Sequence, residues 1–505
     1  MRSLTLACLF LAIFGNCSDT TNIDEGSSNE VESVSNETRD WVATECRFNV
    51  PESLQNKDYN CGDLLVPENR EDNDGVEISL HFMRFSGTPQ DSDSAATIYL
   101  DGGPGGNGGY ILNTFSANPD FLDGLLSSGD VLLIGQRGTA YSTPSLNCFQ
   151  PADCLIEDRL KHYTTKNNAD DIDDLRRTLN FARLNVFGIS YGSRLALELI
   201  RRHESSLRSV VVEGVVPSQI NWFTLQTKAL LESIKALNES CQNDIYCGSN
   251  YPNLVENFLL GFDTLNETPV VYDDRRFTGN IFFETIQALL YHFDNYSVLP
   301  PIIHSLANGE TQPISAELDQ IIEFMSNSNS DFTISRGLYH SIVCSELFNP
   351  PNPEDTIEAL NDVPEPLHSL TTLKNTIIEA RCDVWPKDDT TTDYRQPVVS
   401  QFRAMLLSGS HDPITPPSYA LLALESLPES KNYVIDGFGH GASLHSACGR
   451  QLVVDHISDP DANLDTGCID DHIIPFGGST TPGAESSLNF DALSFNFFST
   501  KQIMN

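Results

Sequence analysis

Short apolar stretches alternate with stretches of helical periodicity over residues 76–212. This alternation is typical of a parallel sheet, because a crossover helix must return the chain before the next parallel strand begins. Helices are predicted for residues 168–179, which carry acidic side chains near their start, and for Tyr191–His203, which directly follows a strand. The predicted strands are Val76–Phe85, Ala96–Leu100, Asp130–Ile134, Leu184–Ile189 and Leu207–Val212.

The pattern changes to helix-like segments between about Pro217 and Tyr394, and strand character returns at Met405–Ser408 and Tyr433–Ile435. The predicted fold class is therefore α/β, with a mainly parallel sheet and an inserted helical cap that lies over the strand ends. The helix-like segments of the insertion are 223–237, 281–292, 314–325 and 367–380. The expected boundaries are 43–216 and 396–475 for the two parts of the core, 217–395 for the cap and 476–505 for a C-terminal tail.

The N-terminus has the features of an export signal. Arg2 precedes the apolar run Leu4–Phe14, which is too short for a stable membrane span, so residues 1–17 are predicted to be a signal peptide. Cys17 lies where bacterial lipoproteins carry an acylated cysteine, although Asn16 is an unusual neighbour. Membrane attachment through a lipidated Cys17 and plain cleavage both stay open. Residues 18–42 are polar and acidic and are expected to form a flexible tether. The predicted location is the periplasm, the cell envelope or the extracellular space.

The charge balance limits the partners of this protein. A chain of 505 residues is long enough for one core with a large insertion, or for two domains. Its net charge of -40 would repel nucleic acid and anionic lipid, so neither is an expected partner. Solubility is the ordinary explanation of such a charge, and a salt-rich habitat is the alternative.

The cysteines are consistent with export. Ten remain when Cys8 and Cys17 are set aside, and an even number suits disulfide formation in an oxidising compartment. No C-x-x-C doublet occurs and the histidines do not cluster beside the cysteines, so a zinc site is not predicted. Sequence proximity suggests the pairs Cys46 with Cys61, Cys148 with Cys154, Cys241 with Cys247, Cys344 with Cys382, and Cys448 with Cys468.

A Gly-x-Ser-x-Gly pentapeptide follows the apolar strand that ends at Ile189. Its two glycines, Gly188 and Gly192, permit a sharp strand-to-helix turn that lifts the hydroxyl of Ser190 clear of the sheet. A plain Gly/Ser turn is the alternative for such a short motif. The strand before it and the helix after it favour a nucleophilic Ser190.

A glycine-rich loop, Asp101–Gly106, follows the strand Ala96–Leu100. A carbonyl group attacked by a serine becomes an oxyanion, which needs N–H donors where the charge develops. Gly102 or Gly103 is expected to supply one donor and the N–H of Tyr191 the other. A flexible surface loop and a phosphate cradle are the alternatives, and the missing Lys-Ser/Thr sequence weakens the second.

Two further motifs come late in the chain. Asp412 follows a strand in a proline-rich loop, and His440 lies between two glycines at the end of the last strand. The chain order Ser190, Asp412, His440 is the order that a serine nucleophile, its orienting acid and its histidine base have in this fold class. His411 and His445 are expected to be surface or packing residues. Asp436 is the rival acid, but it precedes His440 too closely to reach around its ring.

These motifs, together with Gly-Gln-Arg-Gly-Thr-Ala-Tyr-Ser at 135–142, resemble the prolyl aminopeptidase and tripeptidyl aminopeptidase family of serine exopeptidases. The resemblance runs from about Cys46 to Cys468. Two positions depart from the family pattern: Asp101 stands where prolyl aminopeptidases usually have His, and Gly135 replaces a common Asp. The resemblance implies an α/β-hydrolase core, a helical cap, no metal or other cofactor, and peptide substrates.

The implied activity is the release of prolyl residues or short (tri)peptides from peptide N-termini. Such an enzyme must bind the substrate's ammonium group, and a buried ammonium must be paired with an acid. Glu346 in the predicted cap is a candidate, with a solvated surface acid as the alternative. A carboxylesterase acting on small esters also stays open, because an ester needs no amine site. A non-catalytic lipoprotein is disfavoured, because it would need no complete Ser, Asp and His set.

Overall fold

A twisted sheet of nine strands forms the centre of the protein, in the order β1-β2-β3-β5-β4-β6-β7-β10-β11. The computed structural model describes residues 39–71, 75–88, 95–154, 156–327, 334–348, 360–387, 393–477 and 488. The predicted signal peptide, most of the predicted tether and most of the predicted tail lie outside the described residues. The strands of the main sheet are β1 Trp41–Ala43, β2 Tyr59–Pro67, β3 Glu77–Phe85, β4 Ala95–Leu100, β5 Asp130–Ile134, β6 Arg183–Ile189, β7 Leu207–Glu213, β10 Ala404–Gly409 and β11 Lys431–Ile435.

Six neighbouring strands of the sheet, from β5 to β11, run parallel, and the three strands at the other edge pair antiparallel. The mainly parallel α/β class predicted from the sequence is therefore confirmed. All seven predicted strands are present, with ends that differ by at most two residues. The carboxyl ends of β4, β6, β7, β10 and β11 meet at one edge of the sheet, where polar loop residues gather.

Helices pack on both faces of the sheet because successive strand residues point to opposite sides. On β6, Leu184 and Val186 belong to one apolar core, whereas Phe187 and Ile189 belong to the other. Full burial of these residues explains the continuous apolar runs in the sequence. The helices around the sheet are α1 Ile111–Ala117, α2 Pro119–Leu126, α3 Thr165–Thr178, α4 Tyr191–His203, α13 Pro417–Leu424, α14 Ala442–His445 and α15 Ala447–Ser458.

The segment between β7 and β10 is mostly helical, as the sequence predicts, and it adds one small hairpin of β8 Val270–Tyr272 with β9 Arg275–Phe277. Much of it packs around an apolar core of its own that includes Phe258, Phe282 and Leu306. Its role as a cap stays a prediction at this point. Its α-helices are α5 Trp222–Asn243, α6 Ile245–Asn250, α7 Leu254–Glu267, α8 Gly279–Leu290, α9 Leu299–Ala307, α10 Ser315–Asn327, α11 Arg336–Ile342 and α12 His368–Val384, and a π-helical turn Val343–Leu347 follows α11.

Five disulfides link the cysteines in the pairs that sequence proximity suggests. They are Cys46–Cys61, Cys148–Cys154, Cys241–Cys247, Cys344–Cys382 and Cys448–Cys468. Within the described ranges, none of the helices has both the length and the apolar composition that crossing a bilayer requires.

The departure from the family pattern at Gly135 does not leave Arg137 unpaired. Its guanidinium is fully buried and donates two hydrogen bonds of 2.8 Å to the carboxylate of Asp171 on α3. It also donates to the backbone carbonyl groups of Glu68 and His162. A buried charge needs such partners, so the acid from α3 neutralises the arginine.

Candidate active site

Ser190 lies on a sharp turn between β6 and α4. Its backbone has φ 58° and ψ -124°, a conformation that is strained for a residue with a side chain. Neither flanking position has room for a side chain. A Cβ atom on Gly188 would lie 2.2 Å from the carbonyl oxygen of Gly192, and a Cβ atom on Gly192 would lie 2.0 Å from the carbonyl oxygen of Leu100. The turn thus has the close strand–helix packing that the pentapeptide predicts.

Asp412 and His440 come together from the loops that follow β10 and β11. Nδ1 of His440 lies 2.8 Å from Oδ2 of Asp412, and both side chains are buried. The carboxylate also accepts hydrogen bonds from the N–H groups of Ile414 and Thr415. Burial alone would raise the pKa of Asp412, but the charge and hydrogen bond of His440 and these two amides outweigh burial and hold the pKa below its ordinary value. Asp412 is therefore ionised at neutral pH.

Thr415 is a member of this arrangement that the sequence did not single out. Its hydroxyl donates to Oδ2 of Asp412 over 2.7 Å and lies 3.0 Å from Nδ1 of His440. The oxygen of this hydroxyl shares the hydrogen bond that the imidazole N–H donates, while the hydroxyl hydrogen is donated to the carboxylate. The prolines around it, Pro413 and Pro416, were visible in the sequence as loop-fixing residues, but nothing pointed to the hydroxyl.

Ser190 and His440 line one cavity. Asp101, Gly102 and Gly103 line it as well, and much of the remaining wall is aromatic or aliphatic. One of these wall residues is Tyr291, which directly follows α8 and whose ring centroid lies 5.2 Å from that of His440. The structure thus brings the three predicted residues Ser190, Asp412 and His440 to one place, with an apolar wall around the serine and histidine.

The carboxylate of Asp101 holds the glycine-rich loop. It accepts hydrogen bonds of 3.0 Å from the N–H groups of Gly102 and Gly108, and one of 3.2 Å from the hydroxyl of Tyr99. Gly102 packs against Ser190, since a Cβ atom on it would lie 2.9 Å from the serine Cβ. Because Asp101 binds the N–H of Gly102, that predicted oxyanion donor already has a partner in this structure.

The second predicted donor, the N–H of Tyr191, belongs to the first residue of α4. The first N–H groups of a helix have no partner within the helix and point along its axis towards the preceding turn. Since Ser190 is that preceding residue, the position of Tyr191 fits the predicted role.

Glu346 is not among the residues that line this cavity. Its side chain is fully buried in the π-helical turn, where Oε1 accepts from the N–H of Thr165 over 2.7 Å and Oε2 accepts from the hydroxyl of the same threonine. The guanidinium of Arg194 lies 3.5 Å from Oε2. Burial raises the pKa of Glu346 against the opposing effect of Arg194 and Thr165. These partners occupy the carboxylate, which argues against the ammonium-binding role suggested from the sequence.

The rival residues near the site have other partners. Asp436 accepts a hydrogen bond of 2.8 Å from the hydroxyl of Ser410. His411 is buried against the ring of Tyr296, and burial lowers its pKa to about 4. His445 packs against other aromatic rings, and burial lowers its pKa to about 3. Both histidines are packing residues in this structure.

Comparisons with known proteins agree with the fold. Residues 98–236 match the family described as alpha/beta hydrolase fold. This match and the mostly parallel nine-stranded sheet together show the α/β-hydrolase fold. Residues 371–468 match the family described as TAP-like protein, so this stretch of the chain is similar to that family.

Named relatives share about a third of this chain. A tripeptidyl aminopeptidase of Streptomyces coelicolor is 25% identical over 210 residues, which cover 35% of this chain and 38% of the relative. A proline iminopeptidase of Arabidopsis thaliana is 33% identical over 168 residues, which cover 33% of this chain and 36% of the relative. Each match thus spans less than two fifths of the relative's length. A solved proline iminopeptidase of Mycobacterium smegmatis covers 79% of this chain and 100% of its own at 16% identity, and its TM-score of 0.38 is too low to support a further conclusion.

Proposed function

We propose that this protein is an exported serine peptidase that releases residues from the free N-termini of peptides through an acyl-enzyme on Ser190. The observation that supports it best is the Asp412–His440 pair, bonded over 2.8 Å, whose imidazole shares one cavity with the strained Ser190. The names of the two relatives support the choice of a peptide substrate.

In the proposed first half of the reaction, the oxygen of Ser190 attacks the substrate carbonyl carbon while its proton moves to Nε2 of His440. Nδ1 of that ring is bound to the ionised Asp412, which fixes the tautomer and stabilises the imidazolium. When the carbon–nitrogen bond breaks, the imidazolium gives its proton to the leaving amine. A water molecule then attacks the acyl carbon by the same route and frees Ser190.

The negative charge on the substrate oxygen needs donors that are already in place. We assign this role to the N–H groups of Tyr191 and Gly103, each contributing about 3 kcal/mol to the transition state. Asp101 contributes indirectly because it holds the glycine loop through Gly102 and Gly108.

Contacts between the helical insertion and the site support the release of chain ends over cleavage within a chain. Tyr291, at the end of α8 in the helical insertion, lies against His440, and the neighbouring Gln287 donates to the carbonyl of Pro413 over 3.3 Å. We therefore propose that residues 217–395 act as a cap that leaves room for only a short piece of substrate.

Export fits the five disulfides, which are stable in an oxidising compartment. The signal peptide at residues 1–17 is part of this proposal, with lipidation of Cys17 and plain cleavage as its two alternatives. Mass spectrometry of the mature N-terminus would identify the cleavage site and any acyl group.

Kinetics on matched substrates test the proposal. Prolyl and tripeptidyl amides of aminomethylcoumarin, with free and acetylated N-termini, are compared with esters of the same acyl groups. We expect Ser190→Ala to remove nearly all turnover of every substrate, and Ser53→Ala, at an exposed serine, to change nothing.

Acetylation should lower kcat/KM for the peptides strongly if an acid receives the amine. Equal rates with free and acetylated peptides would exclude the aminopeptidase and favour an endopeptidase. Turnover of esters alone would favour the carboxylesterase. A folded Ser190→Ala protein with near-normal turnover would remove the serine mechanism altogether.

A further inference from the structure

Glu213 is a buried acid whose carboxylate binds the segment that carries His440. It is the last residue of β7, beside β6, and its side chain has no exposed surface. Oε1 accepts a hydrogen bond of 2.7 Å from the N–H of Ser443, and Oε2 accepts one from the hydroxyl of Ser443. Ser443 lies three residues after His440, at the start of α14. Glu213 is therefore hydrogen-bonded to the segment that follows His440.

The backbone around Glu213 also contacts the other parts of the proposed triad. The carbonyl of Glu213 accepts a hydrogen bond of 2.9 Å from the N–H of Ser190. A Cβ atom on Gly214 would lie 3.1 Å from Cε1 of His440 and 2.9 Å from the hydroxyl oxygen of Thr415. Residues 213–214 therefore fix the distance between the serine turn, the histidine loop and the loop of Asp412.

An ionisable group at this place is costly to bury. Burial raises the pKa of Glu213 to about 7, although the hydrogen bonds of Ser443 and the charge of His440 act to lower it, and Asp412 adds to the rise. Its charge also acts on the hydroxyl of Tyr99 on β4. A neutral side chain could fill the same space, and perturbed acids of this kind cluster at functional sites.

We propose that Glu213 is a positioning residue for the serine chemistry: through Ser443 it holds His440 in place for Ser190, and its charge supports the imidazolium. This inference rests on the proposed function, because it assumes that His440 is the base. It assigns Glu213 no contact with the substrate. Asp412 orients the imidazole ring directly, whereas Glu213 orients the backbone from which that ring projects.

The test compares Glu213→Gln, Glu213→Asp and Ser443→Ala with a matched control, Glu198→Gln. Glu198 is a buried glutamate on α4 that pairs with Arg201 over 2.9 Å and lies outside the proposed machinery. The readouts are kcat and KM for prolyl aminomethylcoumarin, and the rate at which a fluorophosphonate probe modifies the serine, each measured across pH.

We expect Glu213→Gln to lower kcat and the probe rate about tenfold with little change in KM, because one buried hydrogen bond to a charge is lost near the base. The acid limb of the pH profile should move to lower pH, because the imidazolium loses one of its two neighbouring carboxylates. Glu213→Asp keeps the charge and should restore the position of that limb. Ser443→Ala should shift kcat and the limb in the same direction by a smaller amount, and Glu198→Gln should shift neither.

A kcat and a pH profile like those of the unaltered protein in folded Glu213→Gln would overturn the inference, and so would equal losses in Glu213→Gln and Glu198→Gln. If Glu213→Gln does not fold, Ser443→Ala decides the question, and an unchanged kcat and acid limb in that variant overturn the inference. If Ser190→Ala has no turnover and Glu213→Gln keeps the kcat and pH profile of the unaltered protein, this inference is wrong and the proposed function still stands. Active Ser190→Ala would instead remove the proposed function.

Discussion

Replacing Thr415 by valine tests the part of the site that the sequence did not single out. Valine has nearly the same shape but lacks the hydroxyl, so the bonds at 2.7 Å to Asp412 and 3.0 Å to Nδ1 of His440 are both lost. A hydrogen bond to a charged group is worth about 1.5–3 kcal/mol. Asp412 keeps three other donors, the N–H groups of residues 414 and 415 and the histidine itself, so we expect the lower end of that range.

A loss of about 1.5 kcal/mol in the transition state corresponds to about a tenfold decrease in kcat/KM. The decrease should be in kcat, with KM almost unchanged, because Thr415 is not among the residues that line the cavity. The assay is steady-state hydrolysis of prolyl aminomethylcoumarin by the two proteins at matched folded concentration. Thr415→Ser is the control, because it keeps the hydroxyl and should stay within about twofold of the original rate.

Equal kcat values in the valine and serine variants would refute this reasoning, because the hydroxyl would then be unimportant to the imidazole. A decrease confined to KM would refute it as well, since it would show that Thr415 acts on substrate binding.

Two further predictions concern stability. The disulfide Cys344–Cys382 closes a loop with a sequence separation of 38 residues, and replacing both cysteines by serine should lower the free energy of unfolding by about 4 kcal/mol. Cys148–Cys154 has a separation of 6 residues, and the same replacement there should lower it by about 2 kcal/mol. Urea unfolding of both variants checks the order, and a larger loss from the shorter loop would contradict it. Burial lowers the pKa of His456 from 6.5 to about 4. Between these two pH values the unfolded chain binds a proton that the folded chain does not bind. The free energy of unfolding therefore falls as the pH drops from 6.5 to about 4. His456→Phe should therefore reduce the loss of unfolding free energy between pH 7 and pH 5 by about 2 kcal/mol, and an unchanged pH dependence in urea titrations would speak against this.

The parts of the site that the sequence predicted are those encoded by local turn geometry. Ser190 and His440 stand beside glycines that the turns require, and Asp412 stands in a loop fixed by prolines. Such patterns can be recognised within a few residues. The catalytic roles of these residues stay predictions, whereas their proximity is a feature of the structure.

The parts that the sequence did not show depend on contacts between distant residues. Glu213 and Ser443 are 230 positions apart, and Glu213 is one of 70 acidic residues in the chain. Glu346 illustrates the same difficulty, because its partner Thr165 is 181 positions away and only the fold shows that its carboxylate is occupied. The sequence also did not predict strands β1 and β2, because β2 contains Gly62 and Asp63 and lacks the continuous apolar run of the central strands.

The pairing of the cysteines has a consequence for how this chain acquires its bonds. From Cys46 onward, the cysteines bond in consecutive pairs, the first with the second and the third with the fourth. No disulfide crosses or encloses another. When a polypeptide emerges N-terminus first into an oxidising compartment, each such bond can close before the following pair has appeared. Oxidation in order of emergence thus yields the native set of bonds directly, without a later exchange of partners.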